Sequence, residues 1–246
     1  MSKQKFLLLS FLFWQLLMSA QEPEKSVITQ DIVWLRYHNI LSINERWLLN
    51  TEIDVRRFVF PDRAHQWVLP RLHAHYKLNN ALNVGGGAVL FLQALPQEQE
   101  SDVLYTRPEI RPHQEINFKQ FFGKLSISHR VRVEERFFLK TDFDQPEFNF
   151  RFRYQLLASF PLVAKENYPS LHLKVADEVM FNAGSNVVNN IFDQNRIYAA
   201  LQLTRSKNWS TEVGYMNWYQ QRPSGTDFFN RNILRITVTH TVKLKK

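Results

Sequence analysis

Residues 147–160 read EFNFRFRYQLLASF, and their order decides between helix and strand. Phe148, Phe150, Phe152, Tyr154 and Leu156 occupy every second position, with Arg151, Arg153 and Gln155 between them. Side chains alternate across a β-strand with period two, so the segment has one oily face and one cationic face. A helix would scatter the same residues around its circumference, because apolar positions there recur at about every third or fourth residue. The segment predicts a strand, and what its oily face meets, a protein core or lipid, determines the fold.

The same alternation fills the chain. Trp47, Leu49, Thr51, Ile53 and Val55 oppose Asn50, Glu52, Asp54 and Arg56, while Val68, Pro70, Leu72, Ala74, Tyr76 and Leu78 oppose Arg71, His73, His75 and Lys77. Leu125, Ile127, Val131 and Val133 oppose Lys124, Ser126, Ser128, Arg130, Arg132, Glu134 and Arg136, and near the end Leu234, Ile236, Val238, Val242 and Leu244 face away from Arg235, Thr237, Thr239, Thr241 and Lys243. Eleven such segments are legible, near 31–43, 46–58, 65–78, 81–94, 105–118, 122–139, 147–161, 168–182, 194–205, 209–221 and 228–245. No helical periodicity interrupts them. Short turns at SIN, NNA, KQF and SKN alternate with longer links such as QALPQEQESD and NAGSNVVNNIFD. Segments this long exceed the strands of about 5 to 6 residues typical of soluble sandwiches. Strands of about 9 to 11 tilted residues cross a bilayer. The expectation is therefore an all-β, antiparallel up-and-down transmembrane barrel with alternating short and long connections. Trp47, Trp67, Tyr105, Trp209 and Tyr219 gather near segment ends, as interfacial girdles do.

The N-terminus indicates a compartment. Lys3 and Lys5 precede a mostly apolar run from Phe6 to Met18, then Ser19 and Ala20, the layout of a secretory signal peptide. The run is short for a helical membrane anchor, which needs about 20 residues. Residues 1–20 are thus expected to be a cleaved leader and residues 21–246 a single barrel domain in the outer membrane of a Gram-negative bacterium, beginning near Gln21. The chain has no cysteine, which excludes disulfides, thiolate metal sites, a cysteine nucleophile and lipid attachment after the leader. The net charge of +8 is compatible with nucleic acid, anionic lipid or anionic solutes. An exported chain rarely meets nucleic acid, so the expected partners are outer-membrane lipid and the outer-membrane assembly machinery.

The succession DIVWLRYHNIL, NTEIDVRRF, LNVGGGAVL, RPEIRPHQEI, SHRVRVEERF, FNFRFRYQL, ADEVMFN and NRIYAALQL resembles the DUF2490 family over nearly the whole mature chain. The resemblance implies an outer-membrane β-barrel of Bacteroidota, whose activity is not established, and it carries no catalytic residue across. The chain departs from many outer-membrane strands in ending TVKLKK, without a terminal aromatic.

Bacterial single-chain barrels have even strand numbers. Closure is therefore expected at twelve strands, with ten as the alternative, the missing strand lying near residues 22–30 or in the loop after Phe181. Pro70, Pro108 and Pro112 each remove a ladder donor, and Pro112, in mid-segment, is expected to sit at a bulge.

Strand by strand, parity places a charge network inside. Its cations are Arg36, Arg56, Arg71, Lys77, Arg107, Arg111, Lys124, Arg130, Arg132, Arg136, Arg151, Arg153, Lys174, Arg196, Arg235 and Lys243. Its acids are Glu52, Asp54, Glu109, Glu115, Glu134, Glu178 and Glu212, which leaves an expected excess of nine positive charges. Catalytic motifs are thin. The glycines at 85–87 lack the spacing of a nucleotide loop and suit a bend or close strand packing. His129 faces away from Ser126 and Ser128, so no serine hydrolase set forms. His73 and His75 share a face, but no third ligand follows in sequence, so polar lumen residues are the reading and neither metal nor cofactor is assigned. No enzyme activity is expected. The functional expectations are a structural or narrow, largely plugged pore, a small-solute anion-preferring channel, an outer-membrane enzyme, or a soluble periplasmic lipid carrier with an apolar interior.

Overall fold

In the computed structural model, which describes residues 25–98, 101–163, 168–184, 187 and 190–244, each alternating segment is a strand. They are β1 (Val27–Ser42), β2 (Trp47–Phe58), β3 (Arg63–Lys77), β4 (Leu82–Leu95), β5 (Tyr105–Phe122), β6 (Leu125–Phe138), β7 (Glu147–Val163), β8 (Ser170–Ala183), β9 (Phe192–Thr204), β10 (Trp209–Gln221) and β11 (Phe228–Lys243). Each strand pairs antiparallel with the next, and β1 also pairs with β11, closing the sheet into a barrel. The expected leader at residues 1–20 and the start at Gln21 lie outside the described residues.

The strand number corrects the expectation of twelve, and of ten. The barrel closes at eleven, with β1 and β11 running parallel from Val27↔Phe228 to Ser42↔Lys243 without a slip. Residues 27–30, where an extra strand was sought, lengthen β1 instead, and no twelfth strand occurs among the described residues. Parallel ladders are slightly weaker per residue than antiparallel ones. A seam sixteen pairs long supplies an unbroken ladder that needs no further strand.

Alternation then sorts the side chains. On β7, Phe148, Phe150, Phe152, Tyr154 and Leu156 point outward and are exposed, while Arg151 and Arg153 point inward and are buried. Three departures from strict period two re-aim inward groups. An extra residue between Val68 and Arg71 sends Leu69 and Pro70 outward and turns Val68 inward, so Val68 is not on the outer apolar face that parity assigned it. Another register shift, between Met180 and Phe181, lets Asp193 and Gln194 both point inward. Another lies between Arg56 and Arg57, where Gln66 joins the interior beside His65. The bulge expected at Pro112 is absent: its pairing with Ala88 is regular, and the β6 ladder resumes in register at His113 after lapsing over Arg111 and Pro112. A proline whose missing N–H falls in such a lapse needs no extra residue. The turn expected at KQF lies later, because β5 continues to Phe122 and Gly123, at φ +58°, makes the reversal.

Candidate functional site

The lumen is the place where this chain concentrates chemistry, and it is built by inward positions of every strand. Glu134 on β6 is its hub, buried among Arg153 at 2.5 Å, Arg132 at 3.7 Å, Arg151 at 3.9 Å and Arg111 at 4.0 Å. Glu178 on β8 receives Arg130 and Arg153, each at 2.7 Å, with Arg196 at 3.8 Å. Glu109 is shared by Arg111 and Arg136, and Glu115 is held by Arg132 at 2.5 Å. Across the barrel, Arg36 grips Asp54 with two nitrogens, at 2.6 and 2.9 Å, and Arg71 binds Glu52. Arg56 reaches Asp54 at 3.1 Å. Glu212 joins Lys174 at 2.8 Å, Arg235 at 3.8 Å and the Tyr198 hydroxyl at 2.7 Å. Burying an unpaired ion is very costly, and the guanidinium fork can satisfy two carboxylates at once, which is why arginine dominates.

The predicted network is therefore assembled, with changes at its edges. Arg107 sits at the long-loop end, near Asp144 at 3.8 Å and Glu147 at 3.3 Å. Lys77, Lys124 and Lys243 are exposed at the short-turn rim rather than inside. Two charged members were missed. Arg231 shares the parity of Arg235, and its guanidinium bonds to Gln30, Gln97 and Gln220 instead of an acid. Asp193, 2.8 Å from Arg151, was hidden by the register shift. Setting aside the rim lysines and Arg107 with its loop acids, thirteen inward cations face eight inward carboxylates, an excess of five in place of nine.

One wall of the lumen is apolar, which parity on the charged strands did not reveal. Ile32, Trp34, Met216, Trp218 and Ile233 from β1, β10 and β11 pack together inside. Arginines lie over their rings, Arg56 at 3.6 Å from the Trp34 centroid and Arg196 at 4.3 Å from that of Trp218, so the same cations that pair with Asp54 and Glu178 also stack on this wall.

Two cavities occupy the interior without sharing a lining residue. A vestibule of about 550 Å³ at the long-loop end is lined by Arg107, Arg136, Arg151 and Asp193 among others. A cavity of about 290 Å³ farther in is lined by Arg36, Arg71, Arg130 and Arg153. Glu134 binds Arg151 on one side and Arg153 on the other, so the ion-pair layer itself forms the partition. A third space of about 420 Å³ shares Leu157, Lys174 and Gln202 with the inner cavity.

The glycines on β4 also acquire a role. Gly85 stands between His75 and Glu115 in the ladder, and Gly87 between His73 and His113. A side chain at Gly87 would meet the Leu72 carbonyl at 2.0 Å, and one at Gly85 would meet the Ala74 carbonyl at 2.6 Å. Close strand packing, expected from sequence, is thus what these glycines permit.

No curated protein matches the chain. The family model described as "Protein of unknown function (DUF2490)" matches residues 31–230, from β1 into β11, and the chain belongs to that family.

Proposed function

We propose that the chain is an outer-membrane β-barrel protein of a Gram-negative bacterium, exported by a leader at residues 1–20 and folded by the assembly machinery of that membrane. In this reading it is a plugged scaffold without enzymatic activity, which presents its vestibule and long loops on one side. The observation that carries it is the inversion of an ordinary soluble interior: Phe152 and Val131 are 46% and 50% exposed on the outer face, whereas Arg132 and Glu134 are 1% exposed inside. Charge inside and oil outside suits a lipid surround and is the reverse of a soluble carrier with an apolar interior. An exposed apolar surface of this extent needs a partner, and lipid is the one that meets every strand equally.

The test is to express the full chain in a Gram-negative host. It is expected in the outer-membrane fraction, extractable only by detergent, starting near Gln21, and migrating differently on gels before and after boiling. Recovery of an uncleaved protein from the aqueous fraction would overturn the reading.

A second reading, a small-solute anion leak, is favoured by the excess of five cations in the lumen. Fixed positive charge in a low-dielectric wall concentrates anions. The partition at Glu134 opposes through-flow, so conductance separates the two readings.

A further inference from the structure

We propose that His73, His75 and Glu115 form a binding site for a late transition-metal ion of the zinc class, beside the buried His113. The site was invisible in sequence because its third ligand comes from another strand. β4 places glycines, not side chains, between the two histidines of β3 and the His113–Glu115 pair of β5. The imidazoles therefore reach across β4, and ligand atoms of His73, His75 and Glu115 lie within 4.8 Å of one another.

The distances are those of a coordination shell. His75 Nε2 is 3.1 Å from His73 Nδ1 and 3.3 Å from Glu115 Oε1. Zinc binds nitrogen and oxygen at about 2.0–2.2 Å, so two ligands on a tetrahedral ion stand about 3.3 Å apart. Asn117 Nδ2 donates to Asn83 Oδ1 at 3.0 Å, which identifies that oxygen as an acceptor, and His75 Nδ1 lies 3.1 Å from it. With a proton on His75 Nδ1, the Nε2 lone pair of the neutral ring accepts from His73 Nδ1 alone and stands 3.3 Å from Glu115 Oε1, so a metal ion between them would take both lone pairs. A ligating histidine ordinarily gives its other N–H to such an acceptor. His113 adds an independent sign: it is 1% exposed, its ring centroid is 5.6 Å from that of His73, and neither of its nitrogens has a hydrogen-bond partner.

Imidazole with one carboxylate selects zinc, copper or nickel over calcium or magnesium. Arg132 holds Glu115 through Oε2, while Oε1 accepts from Asn117 Nδ2 at 2.9 Å and turns toward His75, so the two neighbours orient the carboxylate. Its charge also places the affinity below that of an all-histidine site. A second grouping, His38, Glu52 and His73, is the weaker candidate, because Arg36 and Arg71 both already hold Glu52 through Oε2 and Oε1 lies 3.7 Å from His73.

The test uses the folded full chain in detergent, stripped with chelator and dialysed against micromolar Zn²⁺. One bound equivalent per chain is expected by elemental analysis. His75→Gln and Glu115→Gln should each weaken binding by more than about tenfold, and Asn83→Ala, which removes only the acceptor for His75 Nδ1, by about tenfold. His240→Gln, on the opposite side of the lumen wall, should leave binding unchanged. Folding of each variant is read from its gel shift, and if a ligand variant does not fold, Asn83→Ala and the remaining ligand variant decide. No Zn²⁺ bound by the wild type, or binding unchanged in the folded ligand variants, overturns the proposal.

Discussion

Glu134 carries more of the lumen's charge balance than any arginine around it. Four guanidinium groups lie within 4.0 Å of its carboxylate, and the lumen already holds more cations than acids. Glu134→Gln leaves those cations facing one another in a buried site and is expected to cost about 3–5 kcal/mol, the range for breaking a buried pair. Arg153→Gln removes one of the surplus cations. Glu134 then keeps Arg111, Arg132 and Arg151, and Glu178 keeps Arg130 and Arg196, so the loss should be smaller. Denaturant unfolding of the barrel in lipid vesicles checks the order, and a larger loss for Arg153→Gln would contradict it. On the outer face depth decides. Val131 lies halfway along β6 and Phe150 only four residues into β7. Val131→Arg is expected to cost about 2–4 kcal/mol and Phe150→Arg less, because the penalty for a charge in lipid falls toward the interface. Equal costs at the two positions would count against a bilayer around this belt. Most of these side chains were legible in sequence, since parity on a long strand fixes a face. Asp193 was not, because one extra residue in β9 reverses the parity before it.

Strands as units were legible for the same reason, and the exceptions are local. Val68 was assigned to the wrong face because the extra residue at Leu69–Pro70 leaves no mark in the hydrophobic pattern, both residues being tolerable outward. Pro112 suggested a bulge that β5 avoids by letting a ladder contact lapse. β4 is the element whose role sequence left most open. Its glycines read as close packing, but which strands they brought together required the register of β3 and β5 around them. This register predicts a difference between neighbours. A Cβ at Gly87 would stand 2.0 Å from the Leu72 carbonyl, whereas one at Gly86, on the outer face, approaches the His113 carbonyl only to 3.2 Å. Gly87→Ala should therefore prevent or strongly impair folding, and Gly86→Ala should give a barrel that still shows its gel shift. Normal folding of Gly87→Ala would contradict the register.

At the scale of the whole molecule, a ring of eleven strands is small. Interiors of about eight strands are filled by side chains, and water-filled porins need about 16 to 18. Here the vestibule and the inner cavity are divided by the arginines around Glu134. Little or no conductance is therefore expected in planar bilayers, and any residual current should prefer anions and diminish as salt screens the lumen charge. Large cation-selective openings would contradict both the partition and the charge count. The closure number was a global property that sequence did not yield. All eleven strands were visible, but the even-number habit of bacterial barrels argued against accepting them, and odd-stranded mitochondrial barrels show that the habit is not a geometric necessity. An odd count has a topographic consequence. β1 starts at Val27 on the rim of the long loops, and β11 ends at Lys243 on the rim of the short turns. The chain thus enters the barrel wall at one rim and leaves it at the other, and across a membrane those two points lie in different compartments. Epitopes placed just before Val27 and just after Lys243 should respond oppositely to a protease added to intact cells, one trimmed and the other spared.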